Sequence, residues 1–132
     1  MSDQSEKCFI PLNIAVLTIS DTRALDDDKS GTTLADRLTA AGHKLGARKI
    51  VTDDVEAIRA VVKKWIADPG IDVVITTGGT GFTGRDVTPE AVRPLFEKEI
   101  DGFSIVFHML SFQKIGTSTI QSRACAGLAH GT

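Results

Sequence analysis

The feature that most constrains the fold is an apolar segment at residues 13–20 that has no polar face. It has the length of a strand and is rich in β-branched side chains, whereas a half-exposed strand would alternate apolar and polar residues. A second segment of this kind covers residues 71–76. Strands that are apolar on both sides are typical of a parallel sheet with helices on both faces. The chain is therefore predicted to contain a sheet buried in the middle of the fold.

Helical patterns alternate with the predicted strands. The first helix has Ser30 as its predicted N-cap and ends at Gly42, a typical C-cap residue. A strand ending near Val51 is followed by a helix that Asp53 or Asp54 can cap. The next helix is predicted to start at residues 88–90, with a hydroxyl cap before a proline. This alternation predicts an α/β domain with a parallel sheet.

Composition excludes several functions. A length of 132 residues suits one domain, predicted at residues 13–132 after a flexible arm at residues 1–12. Because 15 basic residues are balanced by 17 acidic ones, we expect neither a nucleic-acid nor a membrane partner. Cys8 and Cys125 lack metal-type spacing, and the start of the chain has no signal-peptide pattern. A cytoplasmic protein is predicted.

A ligand site is predicted at one edge of the sheet. In parallel sheets, ligands bind beyond the carboxyl ends of the strands. Ser20 and Asp21 follow the first predicted strand, residues 52–54 follow the second, and a glycine-rich loop follows the third. We expect these three segments to lie together.

The glycine-rich loop is the strongest local signal of function. Its residues are Thr76, Thr77, Gly78, Gly79, Thr80 and Gly81. Bare backbone amides and hydroxyls in such a loop can hold a phosphate, although a loop of this kind can also be a structural turn. Gly79, Gly81 and Gly84 match the spacing of the dinucleotide fingerprint, but here the loop follows the third strand and the helix starts too late. A P-loop is excluded because no Gly-Lys-Ser or Gly-Lys-Thr follows at the required distance.

Arg85 and Asp86 lie between this loop and the next helix. Beside a phosphate loop they can form an anion clamp and a ligand for Mg²⁺, which takes one or two carboxylates together with phosphate oxygens. The alternative is an ion pair between the two residues at the surface. The loop beside them favours the functional interpretation.

Taken together, the loop and the segment at residues 85–91 resemble the molybdopterin-binding family of MoaB and MogA type. The resemblance covers residues 13–132, and the stretch at 109–123 resembles the MoaB branch. It implies a three-layer α/β/α fold with a mostly parallel sheet, assembled as a homo-trimer or hexamer. It also implies binding of molybdopterin and, in active members, of ATP with Mg²⁺. Other proteins of molybdenum cofactor biosynthesis are the expected partners.

The implied reaction is adenylyl transfer from ATP to the terminal phosphate of molybdopterin. Asp53 and Asp86 match the acidic positions associated with catalysis and are the candidate Mg²⁺ ligands. Further predicted ligand-binding residues are Ser20, Asp21, Ser30, Gly31, Thr76, Thr77, Gly78, Gly79, Thr80, Gly81, Arg85, Thr88 and Ser122. The alternative is a protein that binds and carries molybdopterin without catalysing its adenylylation.

Two further expectations concern the second half of the chain. A helix is predicted at residues 101–110, and its apolar residues, with Phe112 and Ile115, predict a subunit contact. Family members continue beyond the position of Thr132 with a strand and a loop that closes the ligand site. The sequence is therefore interpreted either as a piece of a longer protein, which we favour, or as a shortened relative.

Overall fold

A computed structural model describes residues 8–24 and 26–132. Its strands are β1 Asn13–Ile19, β2 Lys44–Val51, β3 Val73–Thr77, β4 Lys98–Glu99 and β5 Gly127–Leu128. Its helices are α1 Lys29–Ala40, α2 Val55–Ile66, α3 Thr88–Val92 and α4 Asp101–Ile115. Short 3₁₀ segments at Arg93–Leu95 and Gly116–Gln121 follow α3 and α4. The predicted alternation of strands and helices is confirmed.

The first three strands form a parallel sheet in the order β2-β1-β3. Ile19 pairs with Val51, and Thr18 pairs with Thr77, so the carboxyl ends of these strands are nearly level. β4 and β5 form a separate antiparallel pair. The loops predicted to form the ligand site therefore leave the sheet at one edge.

Alternate residues of β1 pack against opposite layers of helices. Ala15 and Leu17 lie in the core that α2 and α3 form on one face of the sheet. Ile14 and Val16 pack with Leu38 of α1 on the other face. Complete burial of a side chain such as that of Leu17 stabilises the fold by roughly 1.5–3 kcal/mol. This packing confirms the three-layer arrangement and explains why the first strand has no polar face.

The N-cap of α1 is Asp28 and not the predicted Ser30. The Asp28 carboxylate accepts hydrogen bonds from Gly31 N at 3.0 Å and from Thr18 Oγ1 at 2.6 Å. It also lies 3.2 Å from an Arg48 nitrogen. Ser30 is an exposed residue inside the helix. The carboxylate is the better cap because it satisfies the helix terminus and joins it to the sheet.

The N-terminal segment is described only from Cys8 onwards, so most of the predicted arm lies outside the described residues. The Phe9 ring packs against that of His43, with 5.1 Å between the ring centroids. Leu12 N donates to His43 Nδ1 at 3.1 Å. His43 thus has a structural role, and the boundary of the arm at residue 12 stays a prediction.

Helix α4 continues to Ile115, five residues beyond its predicted end. None of its residues is buried. Its exposed apolar side chains are Phe103, Ile105, Val106, Phe107, Met109, Leu110, Phe112 and Ile115. Among the described residues, no helix is both long enough and apolar enough to cross a membrane.

Candidate functional site

The glycine-rich loop leaves the carboxyl end of β3 in a conformation that requires glycine. Gly78 and Gly79 have φ values of +100° and +70°, which other residues rarely adopt. A Cβ atom on Gly78 would collide with the carbonyl oxygen of Ile19, and one on Gly79 would collide with the hydroxyl of Thr88. The loop is therefore pressed against the end of β1 and the start of α3.

Thr88 holds the first half of the loop. Its hydroxyl donates to Gly78 O at 2.8 Å, and its N–H donates to Gly79 O at 3.0 Å. The predicted capping role of the Thr88 hydroxyl is wrong, because α3 starts at Thr88 and its N-cap position is Val87. The hydroxyl bonds to the loop instead because the sheet edge brings the loop carbonyls within its reach.

Arg123 holds the second half of the loop. Its backbone N–H donates to Thr80 O at 2.9 Å, and its Nε donates to Gly81 O at 2.8 Å. A further guanidinium nitrogen donates to Asp86 O at 2.8 Å. The predicted site residues include Ser122 but not its neighbour Arg123. The N–H of Ser122 donates to Thr119 O.

The carbonyl oxygens and the N–H groups of the loop thus differ in their hydrogen bonding. The four carbonyl oxygens of residues 78–81 all accept hydrogen bonds from Thr88 or Arg123. The N–H groups of Gly79 and Thr80 have no acceptor among residues 8–24 and 26–132. Because unpaired amides attract anions, the loop offers donors to a ligand while its acceptors are occupied.

Asp86 lies against the loop on the side of Gly81. A Cβ atom on Gly81 would lie 2.7 Å from Asp86 Oδ2. The same oxygen accepts hydrogen bonds from Thr83 Oγ1 at 2.8 Å and from Thr83 N at 3.1 Å. These bonds lower the pKa of Asp86, and the bond from the Thr83 hydroxyl has the largest effect. The carboxylate is therefore ionised and fixed.

Arg85 binds Asp21 rather than its neighbour Asp86. Arg85 Nε donates to Asp21 Oδ2 at 2.9 Å, and the contact joins the glycine loop to the loop after β1. Asp21 Oδ1 accepts from Asp53 N at 3.0 Å. The hydrogen bond from the Asp53 backbone lowers the pKa of Asp21 most, and the bond from Arg85 lowers it further. The proposed surface pair between Arg85 and Asp86 is replaced by a bridge across the sheet edge.

Asp53 is the carboxylate in the least favourable electrostatic position. Burial raises its pKa, and the charges of Asp21 and Asp86 raise it further, whereas Arg85 opposes them. Asp54 caps α2 by accepting from Ala57 N at 2.8 Å, so Asp53 is not needed for that purpose. A raised pKa in a carboxylate that lies near two others is typical of functional sites.

Asp53 and Asp86 suit a bound Mg²⁺ only together with a ligand. Asp53 Oδ1 lies 3.3 Å from the position of a Cβ atom on Gly79, so both carboxylates border the loop. Among the described residues, no group of three or more acidic, histidine or cysteine side chains could hold a metal. Mg²⁺ commonly takes one or two carboxylates and completes its shell with phosphate oxygens and water. The residues present fit that pattern.

Some of the other predicted site residues lie at the carboxyl edge of the sheet, and others lie away from it. Ser20, Thr76 and Thr77 lie at the same edge, where Ser20 Oγ accepts from Thr22 N at 3.3 Å. Gly31 lies on α1, and its N–H is used by Asp28. The ligand roles of Ser20, Ser30, Gly31, Thr76, Thr77 and Ser122, like those of the other predicted site residues, stay predictions.

Comparison with known proteins identifies the class of this domain. The family described as "Probable molybdopterin binding domain" matches residues 15–130, and the chain belongs to this family. Molybdenum cofactor biosynthesis protein B of Escherichia coli K12 is 52% identical over 124 residues, covering 94% of this chain and 73% of that protein.

Solved structures agree with this assignment. A crystal structure of molybdenum cofactor biosynthesis protein B matches with a TM-score of 0.88 and 44% identity, over 93% of this chain and 77% of that chain. A molybdopterin biosynthesis protein from Mycobacterium abscessus matches with a TM-score of 0.84 and 32% identity, over 92% and 77%. The predicted family and fold are therefore confirmed.

Proposed function

We propose that this chain acts in molybdenum cofactor biosynthesis and binds the phosphate of molybdopterin at the glycine loop. The observation that carries the proposal is the state of the loop peptides: the carbonyls are occupied, and the N–H groups of Gly79 and Thr80 have no acceptor in the part of the chain that the structure describes. Such amides favour a phosphate over a neutral ligand. Membership of the molybdopterin-binding family supports the pterin as the phosphate carrier, and the names of the relatives support the pathway.

We further propose that the bound molybdopterin is adenylylated. A terminal phosphate oxygen of molybdopterin attacks the α-phosphorus of ATP and forms a new P–O bond. The bond from the α-phosphorus to the oxygen that bridges to the β-phosphate breaks, and pyrophosphate leaves with its electron pair. No covalent bond to the protein is needed, so catalysis depends on alignment and charge stabilisation.

The chain's own residues have distinct roles in this proposal. The N–H groups of Gly79 and Thr80 bind and orient the attacking phosphate. The carboxylates of Asp53 and Asp86 would hold Mg²⁺, which when bound neutralises charge on the phosphates. Arg85 lies beside them and adds a positive charge that Asp21 keeps in place. The raised pKa of Asp53 supports a cation site, because a cation would relieve the repulsion there.

The test is single-turnover formation of adenylyl-molybdopterin with saturating molybdopterin and Mg-ATP. Asp53→Asn and Asp86→Asn should each reduce the rate by about 100-fold or more while binding of molybdopterin persists, because the amide keeps the size but not the charge. The matched control is Asp54→Asn, which removes a neighbouring charge and keeps a good helix cap. Its rate should stay within about twofold of the wild-type rate.

The result separates the enzyme from a carrier. Binding of molybdopterin by the wild-type protein without any adenylylated product would indicate a carrier. Unchanged rates in both acidic-site variants would mean that other residues perform catalysis. Equal losses in all three variants would indicate a general effect of charge rather than a role of Asp53 and Asp86.

A further inference from the structure

Asp21 joins three loops at the carboxyl edge of the sheet. It follows a backbone hydrogen bond from Ser20 N to Val51 O, at 2.9 Å, which extends the pairing of β1 with β2. In the loop after β2, Asp53 N donates to Asp21 Oδ1 at 3.0 Å. Beyond the glycine loop, Arg85 Nε donates to Asp21 Oδ2 at 2.9 Å, and one terminal nitrogen of Arg85 donates to the same oxygen. Both carboxylate oxygens are therefore engaged by the chain itself.

Arg85 depends on Asp21 for its place at this edge. Its side chain is 70% exposed, whereas that of Asp21 is 31% exposed. Among residues 8–24 and 26–132, Asp21 Oδ2 is the only acceptor for the Arg85 guanidinium, and the second terminal nitrogen has no acceptor. A long exposed side chain without a fixed acceptor samples many rotamers. Asp21 thus holds one edge of the guanidinium and leaves the second terminal nitrogen to an anionic ligand.

Asp21 also restricts the position of Asp53. A peptide group is planar and includes the N–H and the Cα atom of its second residue, so holding the N–H of Asp53 restricts its Cα atom. The Asp53 carboxylate extends from this Cα atom and borders Gly79. Asp21 therefore acts on two groups of the candidate site, one acidic and one basic.

An ion pair that served only the surface would have a different effect on an anionic ligand. Exposed pairs contribute little to stability, and the negative charge of Asp21 repels a phosphate. Removal of that charge alone would therefore strengthen phosphate binding. A carboxylate that holds Arg85 in place has the opposite effect, because its loss releases the cation that binds the phosphate. The sign of the change separates the two roles.

We propose that Asp21 is a positioning residue, which uses its two carboxylate oxygens to hold the Arg85 guanidinium for a phosphate group and to hold the backbone of Asp53 beside the glycine loop. The inference rests on the proposed function of this site and gives Asp21 a different role from the predicted ligand contact. The phosphate belongs to molybdopterin or to ATP, and the two sources are tested separately. Asp21 contacts no reacting atom in this role.

The experiment measures the affinities for molybdopterin and for ATP without Mg²⁺ by calorimetric titration. Asp21→Asn keeps an oxygen for Asp53 N but replaces the acceptor for Arg85 with an amide donor. It should weaken binding of at least one of the two ligands about fivefold or more, because charge-assisted hydrogen bonds hold Arg85. In an Arg85→Met background the same substitution should strengthen binding of that ligand about twofold, because only the repulsive charge is then removed.

A second variant, Asp21→Ala, has no acceptor for either partner. It should weaken binding at least as much as Asp21→Asn. The amide proton of Asp53 should exchange with solvent faster in Asp21→Ala than in Asp21→Asn, because only the alanine variant releases it. Melting curves of both variants check that they are folded at the temperature of the titration.

The matched control is Asp54→Asn. Asp21 raises the pKa of Arg85 most, and the charges of Asp53 and Asp54 raise it further, so Asp54 also lies in the field of the guanidinium. The Asp54 carboxylate accepts from Ala57 N and caps α2. This variant removes the same charge without releasing Arg85, so it should not weaken binding of either ligand. Equal weakening in Asp54→Asn and Asp21→Asn would contradict the positioning role.

The possible results distinguish the two proposals. A wild-type protein that binds no molybdopterin would overturn the proposed function, and the role of Asp21 would fail with it. If the wild-type protein binds molybdopterin and Asp21→Asn binds both ligands as tightly as wild type or more tightly, only the positioning role is overturned. Weakening by Asp21→Asn in the Arg85→Met background as well would also overturn it, because Asp21 would then act without Arg85. Asp21→Asn decides the matter even where Asp21→Ala does not fold.

Discussion

The Oδ2 atom of Asp28 accepts a hydrogen bond of 2.6 Å from the hydroxyl of Thr18, so the N-cap of α1 is bonded directly to β1. The side chain of Asp28 is fully buried, and Arg48 lies 3.2 Å away. Burial opposes ionisation, but the hydrogen bonds from Thr18, Gly31 and Arg48 together lower the pKa of Asp28. This carboxylate is therefore a charged link between a helix, the central strand and β2.

Asp28→Ala is expected to lower the free energy of unfolding by about 2–3 kcal/mol, because it removes a helix cap and leaves Arg48 without its anion. Denaturant unfolding of the purified protein measures the change. The matched control is Asp26→Ala, which alters an exposed residue of the same loop and should change stability by less than about 0.5 kcal/mol. Equal effects of the two substitutions would contradict the linking role of Asp28.

Asp53→Asn is expected to raise the melting temperature at neutral pH even though it should greatly reduce the rate of turnover. Burial, with the charges of Asp21 and Asp86, raises the pKa of Asp53, so ionisation of this carboxylate disfavours the folded state. The cost is absent below the ordinary value of 3.8, where Asp53 is protonated in both states. It is complete above the raised value of the folded state. Melting curves of the wild type and the variant should therefore converge near about pH 3 and separate as the pH rises.

The control for Asp53 is Asp54→Asn, because Asp54 is the neighbouring carboxylate and caps α2 at the surface. This variant should show no comparable gain at neutral pH. A decrease in melting temperature for Asp53→Asn at neutral pH would mean that its charge stabilises the fold, contrary to the direction of its pKa shift.

Gly79→Ala is expected to disrupt the loop, whereas Gly84→Ala should be tolerated. At Gly79 the φ value is positive and an added Cβ atom meets the Thr88 hydroxyl, while at Gly84 nothing lies within 4 Å of the added atom. The first substitution should cost about 1 kcal/mol or more of stability, and it should weaken molybdopterin binding. Melting curves and a binding titration of both variants make the comparison. Wild-type affinity in Gly79→Ala would show that the loop conformation is not required by the ligand.

The exposed apolar surface of α4 predicts association of the chain into a trimer or a multiple of it. Phe112 and Ile115 are each 56% exposed, and none of the helix is buried in the described part of the chain. Phe112→Ser should shift the sedimentation profile toward the monomer at micromolar concentration. Ile10→Ser is the control, because Ile10 is 71% exposed outside α4. A wild-type protein that sediments only as a monomer would remove this prediction.

The parts of the fold that sequence predicted are those with local signals. The continuous apolar segments at β1 and β3 and the chain order of strands and helices predicted a parallel sheet, and that sheet placed the glycine loop beside Asp21 and Asp53. Caps were less predictable, because Ser30 and Asp28 are both good cap residues. The contact of Asp28 with Thr18, which precedes it by 10 residues on a different element, decides between them.

The same limit applies to the site. Arg85 and Asp86 are neighbours in sequence, yet Arg85 reaches Asp21, 64 residues away. Arg123 lies 42 residues from Gly81 in a segment with no period, so no local pattern indicates its contact with the loop. The only available signal was its place beside Ser122 in a segment that resembles the family, and that signal does not distinguish the hydroxyl from the guanidinium.

The contact between Arg123 and the glycine loop also determines when the site can form. β1, β2 and β3 are complete at Thr77, whereas the groups that bind the carbonyls of Thr80 and Gly81 come after α4. During synthesis all three strands of the sheet are therefore made before the residue that binds these loop carbonyls. Because this contact joins residues that are 42 positions apart, its formation carries the entropy cost of closing a long loop. A nascent chain halted before residue 123 would lack the groups that bind the carbonyls of Thr80 and Gly81.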